Sequence, residues 1–191
     1  MSGRLRAYVT LTVFSAVSVL ALLWPQTFAR DWGHYVAWIV ICLVSDTMWS
    51  NASSGTATWS LSSTAGLSSA VLWGTGAGIC VCAVSTLVAD LFVMRKPWVR
   101  ATFNASQITL ATAVSATLFE LLGGRAAIPL VAGGSVLDRA HAATLLVPFL
   151  GLVLSYWAVN RSMVSLAVAW SSDRGWWQTL REDWLYMARI E

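Results

Sequence analysis

Residues 75–94 read TGAGICVCAVSTLVADLFVM, a run that contains one charged side chain, that of Asp90. A helix needs about 20 mostly apolar residues to cross the hydrocarbon core of a membrane, and this run is long enough. A basic loop that includes Lys96 and Pro97 follows immediately, and proline disfavours helical backbone at the residue before it. The run therefore predicts a membrane-spanning helix that ends at a cationic surface.

The rest of the chain has the same apolar character. Of its 191 residues, 57% are hydrophobic and only 11% are charged, whereas about a quarter of the residues of a soluble domain are charged. The apolar runs are too long and too numerous to enclose a single water-soluble core. The sequence therefore predicts an all-α, polytopic transmembrane helical bundle of about six spans, at residues 7–24, 34–50, 56–73, 75–94, 101–122 and 140–160.

The third segment, residues 56–73, is the weakest of these because it is dense in hydroxyl side chains, among them Ser62 and Ser63. Such a segment must face protein or water rather than lipid, so a full span, a buried helix, a tilted helix and a re-entrant segment all remain open. Its serines, together with the glycines at positions 74, 76 and 78, either line a pocket for a small polar ligand or allow close helix packing. Packing is the favoured interpretation.

The cationic residues indicate the orientation of the chain. With six spans and the first one running outward, nine of the 12 Lys and Arg residues lie on the cytoplasmic side and three lie outside. Both termini are therefore predicted in the cytoplasm, and the predicted location is the bacterial cytoplasmic (inner) membrane, as a multi-pass protein. The cationic residues behind the net charge of +3 lie mostly at the ends of the spans, where they indicate topology. Nucleic acid is therefore not an expected partner.

The chain divides into two predicted parts. Residues 1–170 form a transmembrane, sensor-like helical domain, because the helical pattern of the last span continues past residue 160 as far as Trp170. Residues 171–191 begin with Ser171-Ser172-Asp173, which breaks that helix, and continue with tryptophans and leucines among charged residues. This tail is either an amphipathic helix on the inner membrane surface or a linker.

Ionisable side chains within a membrane are costly, and this makes them candidates for function. The predicted spans hold Asp46, Asp90 and Glu120, and Glu120 is expected to pair with Arg125 or to reach the headgroups. The two aspartates are predicted at similar depth, near the cytoplasmic ends of their helices. We expect one polar cluster there, acting as a ligand site or as an interhelical hydrogen-bond network, from Asp46, Asp90, Asn104 and Gln107 with Arg95 or Arg100.

Catalytic patterns do not occur in this sequence. His34 and His141 are predicted at span ends without companions of the metal-binding type. The three cysteines, Cys42, Cys80 and Cys82, lie within apolar stretches and are expected to be buried free thiols. No enzymatic activity, metal or cofactor is therefore expected of this chain.

The order of segments from residue 71 to residue 107 resembles a known arrangement. A hydroxyl-rich helix, a glycine turn at Gly74, a small-residue helix ending in Ala89-Asp90 and a basic loop lead into FNASQ at residues 103–107. This order resembles the amino-terminal membrane module of bacterial signalling proteins. In those proteins a multi-span sensor region of the MASE type precedes a cytoplasmic HD-GYP phosphohydrolase or GGDEF cyclase that acts on cyclic di-GMP. The resemblance covers roughly residues 35–170.

The resemblance implies a sensory input domain that relays a ligand or a membrane state to a cytoplasmic output through its last helix. The output enzymes of such proteins are not carried over to this chain. Membrane lipids, a cytoplasmic output domain or protein, and a second copy of the chain are the partners that this interpretation allows. Two other classes stay open: a small-molecule-binding membrane subunit of a transporter, and a non-catalytic accessory subunit of a membrane complex.

Overall fold

The computed structural model describes residues 2–25, 28–47, 50–51, 58–59, 62–125, 139–172 and 174–188. Seven α-helices are present in these ranges. They are α1 (Gly3–Leu22), α2 (Phe28–Thr47), α3 (Ser62–Trp73), α4 (Thr75–Val88), α5 (Trp98–Leu121), α6 (Arg139–Ser172) and α7 (Trp176–Ala188). A π-helical turn, Ala89–Val93, continues α4, and two-residue strands, Ser50–Asn51 and Thr58–Trp59, pair antiparallel between α2 and α3.

Helices α4, α5 and α6, which follow one another in the chain, run in alternating directions through the bundle. At one end, here called the base, the ring of Tyr8 packs against those of Phe103 and Trp170. At the other end, here called the top, the backbone amide of Thr75 donates a hydrogen bond to Glu120. Helices α1 and α5 therefore start at the base, where α6 ends, and α4 starts at the top, where α5 ends.

Helix α5 occupies the centre of the bundle, packed against α1, α4 and α6. It carries several buried polar side chains, including Thr109, Thr112 and Ser115. The Thr109 hydroxyl donates to the carbonyl of Ala105 and the Ser115 hydroxyl to that of Thr112, so the helix itself accepts these hydrogen bonds. Polar residues can therefore fill a buried helix without leaving donors unsatisfied.

Helices α3 and α4 form a tight hairpin through one residue, Gly74, whose φ of 96° favours glycine. Below this turn the two helices approach until their backbones touch. A Cβ at Gly78 would collide with the side chain and backbone of Ala70, and a Cβ at Gly66 would collide with the Cys82 sulfur. The small residues between positions 66 and 82 thus allow close packing, as the sequence predicts.

Three helical stretches among the described residues are long and apolar enough to cross a membrane: Gly3–Leu22, Thr75–Val93 and Thr144–Ser172. Trp32–Asp46 is a shorter apolar helix. The prediction of a helical protein with transmembrane helices is confirmed to this extent.

Helix α3 has 12 residues, which at 1.5 Å per residue is about 18 Å, less than the roughly 30 Å of a hydrocarbon core. The start of the predicted third span, at 56–57 and 60–61, lies outside the described residues.

Helix α6 is the longest element and runs without interruption for 34 residues, with Pro148 inside it. At 1.5 Å per residue it is about 51 Å long, well beyond the thickness of a hydrocarbon core. It ends at Ser172, within the segment where the sequence predicts a break. Helix α7 follows, and the Trp176 indole donates a hydrogen bond to the carbonyl of Ser162, which folds α7 back against α6.

Candidate polar sites of the bundle

Asp90 is the centre of a buried polar cluster near the base. It is only 3% exposed, within the π-helical turn after α4. The Lys96 ammonium donates to its Oδ1 at 2.6 Å, and the Asn104 amide donates to its Oδ2 at 2.7 Å. Both carboxylate oxygens thus have charged or polar donors, which a buried carboxylate requires. These three residues are here called the Asp90 cluster.

Local backbone geometry explains how Lys96 reaches Asp90. The amide of Met94 donates to the carbonyl of Ala89, a π-type bond, and the amide of Lys96 donates to the carbonyl of Asp90. Arg95 adopts a positive φ of 51°, which turns the chain back towards the helix it has just left. The sequence placed Asp90 near Asn104, and the structure brings them into contact. The cation, however, is Lys96 rather than Arg95 or Arg100.

Gln107 lies one turn beyond Asn104 on α5 and is 5% exposed. Its Oε1 is buried and has no hydrogen-bond partner among the described residues, and the same holds for Oδ1 of Asn160 on α6. The structure shows no direct bond that joins Gln107 to the Asp90 cluster in these residues. An unpaired buried carbonyl is costly, so each of these oxygens is a place where an ordered water is expected.

Asp46 belongs to a group of buried side chains that come from α2, α4 and α6. It is 7% exposed and lies in electrostatic range of Cys42, Cys82 and Tyr156. The Cys42 thiol donates a hydrogen bond to the carbonyl of Ser62 at 3.8 Å, and the side chain of Ser63 lies close to the Tyr156 hydroxyl.

The Ser62 carbonyl therefore faces α2, and the serine-rich α3 packs against α2 and α4.

Glu120 forms a third polar site, at the top of the bundle. Its Oε1 accepts hydrogen bonds from the backbone amide of Thr75 at 3.3 Å, from the Thr75 hydroxyl at 3.0 Å and from Arg125 at 3.0 Å. The pairing with Arg125 agrees with the sequence prediction, whereas the role of Thr75 was not foreseen. Glu120 satisfies an amide at the start of α4, where helix N–H groups lack partners, and its charge opposes the helix dipole favourably.

Three partners of these sites were missed by the sequence reasoning: Lys96, Tyr156 and Thr75. In the sequence, Lys96 gives only a topology signal, and Tyr156 lies within an apolar span. The sequence offers a signal for one of these residues, because Thr75 follows directly after the Gly74 turn and is the first residue of α4. Polar residues in the first turn of a helix are the natural place for a carboxylate of another helix to dock.

The described residues hold no group of three or more His, Cys, Asp or Glu side chains that would bind a metal ion. A small, partly open space lies between α2 and the α3–α4 hairpin, lined by residues that include His34, Trp73 and Ser69. Its volume is about 10 Å³, which is enough for about one water molecule. His34 stacks on Trp73 with ring centres 4.5 Å apart, so this histidine is part of the packing.

The arrangement of the three polar sites suits helix anchoring. Each site joins two or more helices through one carboxylate or hydroxyl group. Comparison with known proteins gives no relative: no family model, curated protein or solved structure matches this chain.

Proposed function

We propose that the chain is a multi-pass protein of the bacterial inner membrane, with six membrane-crossing segments and both ends on the cytoplasmic side. The alternating directions of α4, α5 and α6 along the chain support this. Tyr8, near the start of α1, donates a hydrogen bond to the carbonyl of Met163, near the end of α6, so the first and last segments meet at the base. Arg4 and Arg6 stand exposed at that end, as the positive-inside rule expects for the cytoplasmic surface.

Within that membrane, the function best supported is that of a sensory input domain that relays a ligand or membrane state to a cytoplasmic output. The single observation that carries this proposal is the continuity of α6. One unbroken helix runs from the buried Tyr156, whose hydroxyl lies close to Ser63 of α3, to Ser172 at the base. A rigid helix of this length transmits a shift at one end to the other, as helices do in known switching proteins.

The Asp90 cluster supplies the adjustable contact in this mechanism. It fastens the end of α4 to α5, and α5 packs along α6. π-Helical turns are less favourable than α-helix and recur at functional sites, so the end of α4 is a place where two packings can be close in free energy. A stimulus that changes the pairing of Asp90 would shift α5 and, through it, the base of α6.

Disulfide cross-linking at the base tests this relay. Gly3→Cys and Ser171→Cys place exposed thiols on α1 and α6, and the native cysteines are buried. In native membranes, we expect Asn104→Ala to change the rate of cross-linking severalfold, because it removes one of the two partners of Asp90. The matched control is Gln178→Ala, which removes an exposed amide on α7. Equal rates in all three proteins would show that the cluster does not control the base of α6.

Cross-linking in native membranes followed by purification would identify the output. We expect a cytoplasmic signalling domain or enzyme to be linked to residues near Ser172. Recovery of transport subunits alone, together with tight binding of a vitamin-sized molecule, would overturn the sensory proposal in favour of a ligand-binding transport subunit.

A further inference from the structure

An open groove runs between α1 and α5 from the base towards the middle of the bundle. Its volume is about 650 Å³, within the range of ligand pockets. Arg6 stands at its lower end, with Trp98 and Val99 on the α5 side and Val13 and Val17 further up on α1. The groove opens sideways, between two helices whose side chains Phe14, Val17 and Trp98 are exposed. These residues define the α1–α5 groove.

The groove changes from charged to apolar along its length. Arg6 is exposed and takes part in none of the ion pairs of the described residues, and no acidic residue lines the groove. Above it come valines and Phe14, which is 69% exposed. From Arg6 to Val17 the rise is about 16 Å at 1.5 Å per residue. One leaflet of hydrocarbon is about 15 Å thick, half of a 30 Å core.

We propose that the α1–α5 groove binds one anionic phospholipid. The phosphate pairs with Arg6, and the Trp98 indole lies at the level of the headgroup and glycerol, where tryptophan is enriched in membrane proteins. One acyl chain lies along Val13 and Val17. A cation at one end and an apolar surface one leaflet long match the charge and length of such a lipid. This proposal requires only that α1 and α5 sit in a membrane and does not rest on the sensory function.

A second copy of the chain fits the groove less well. A symmetric dimer formed through this face would bring two copies of Arg6 towards each other, together with the neighbouring Arg4 and Arg100, without acidic residues between them. Like charges at close range in a partly apolar setting repel strongly. A lipid phosphate removes that repulsion by supplying the missing negative charge.

Native mass spectrometry of the purified protein tests the headgroup contact. The protein is incubated with equal amounts of phosphatidylglycerol and phosphatidylcholine, and the lipid retained per protein is measured. We expect preferential retention of one phosphatidylglycerol. Arg6→Gln should lower this preference about fivefold, the factor that one cationic side chain typically contributes at an anionic surface. Arg181→Gln, on exposed α7, is the matched control and should leave it unchanged.

A second variant tests the apolar part of the groove. Val13→Trp fills the space for the acyl chain and should abolish retention of the lipid, whereas Leu154→Trp, on the exposed face of α6, should not. Equal retention of both lipids, or an unchanged preference in Arg6→Gln, would overturn the proposal. A dimer peak that Val13→Trp removes would identify a second copy as the occupant. If Val13→Trp does not fold, the headgroup preference of Arg6→Gln still decides.

Discussion

Replacing Gly78 with alanine should separate α3 from α4. The new Cβ would collide with the Cβ, Cα and amide nitrogen of Ala70. Carbon atoms pack at about 3.5–4.0 Å, so the two backbones must move apart by about 1 Å. Inserting a methyl group into a well-packed interior costs about 1–3 kcal/mol, and alanine returns up to about 1 kcal/mol through its higher helix propensity. We expect a net loss of about 1–2 kcal/mol.

The buried cysteines provide the assay for this variant. Cys42, Cys80 and Cys82 are all buried, so a thiol-reactive fluorophore reports unfolding of the purified protein during heating. For a chain of this size, 1 kcal/mol corresponds to about 2–4 °C in Tm, so Gly78→Ala should lower Tm by about 2–8 °C.

Gly33→Ala is the control, because nothing lies within 4 Å of a Cβ at that helical position. It should leave Tm unchanged or slightly higher. Equal Tm values for the two variants would refute the close approach of α3 and α4 at Gly78.

Three further substitutions test the contacts between helices. Gly66→Ala should lower Tm because its Cβ collides with the Cys82 sulfur. Cys82→Ala in the same chain should restore most of the loss, because the Cβ of residue 82 is 4.0 Å from the new Cβ. Additive changes in Tm, measured by the thiol assay, would contradict this. Asp90→Ala should cost about 1–3 kcal/mol, since it leaves the part-buried donors of Lys96 and Asn104 without their acceptor, and the double variant with Asn104→Ala should cost less than the sum, as a double-mutant cycle would show. Glu120→Ala should cost about 1–2 kcal/mol by leaving an amide at the start of α4 without its acceptor, measured by the same thermal assay.

Sequence patterns were sufficient to predict the boundaries of the helix with the strongest apolar run. The boundaries of α4 and its π-helical turn, Thr75 to Val93, fall within one residue of the predicted run at residues 75–94. Hydropathy describes α5 less well, because it counts every threonine and serine as polar. In the structure, the hydroxyls of Thr109 and Ser115 donate hydrogen bonds to carbonyls of α5 itself. Because these hydroxyls have acceptors, α5 can be buried at the centre of the bundle.

The pairing of Asp90 with Asn104 was predictable from the sequence, but the choice of Lys96 as the cation was not. The number of residues along each helix was enough to bring Asp90 and Asn104 to the same level. The choice of Lys96 over Arg95 depends on the positive φ of Arg95, which reverses the chain direction and aims the next side chain at Asp90. A backbone turn at a single residue produces no periodic pattern in a sequence, so it could not be predicted. The association of Asp46 with Tyr156 likewise depends on how three helices pack together.

The π-helical turn at Ala89–Val93 has a consequence for how this sequence can change over time. Removing one residue from a membrane helix normally rotates every later side chain by about 100° and exchanges its buried and lipid-facing sides. A π-turn holds one residue more than the α-helix it interrupts, so a deletion within these five positions would restore the regular phase of the helix. This stretch is therefore the part of α4 where related sequences can differ in length while their buried faces remain aligned.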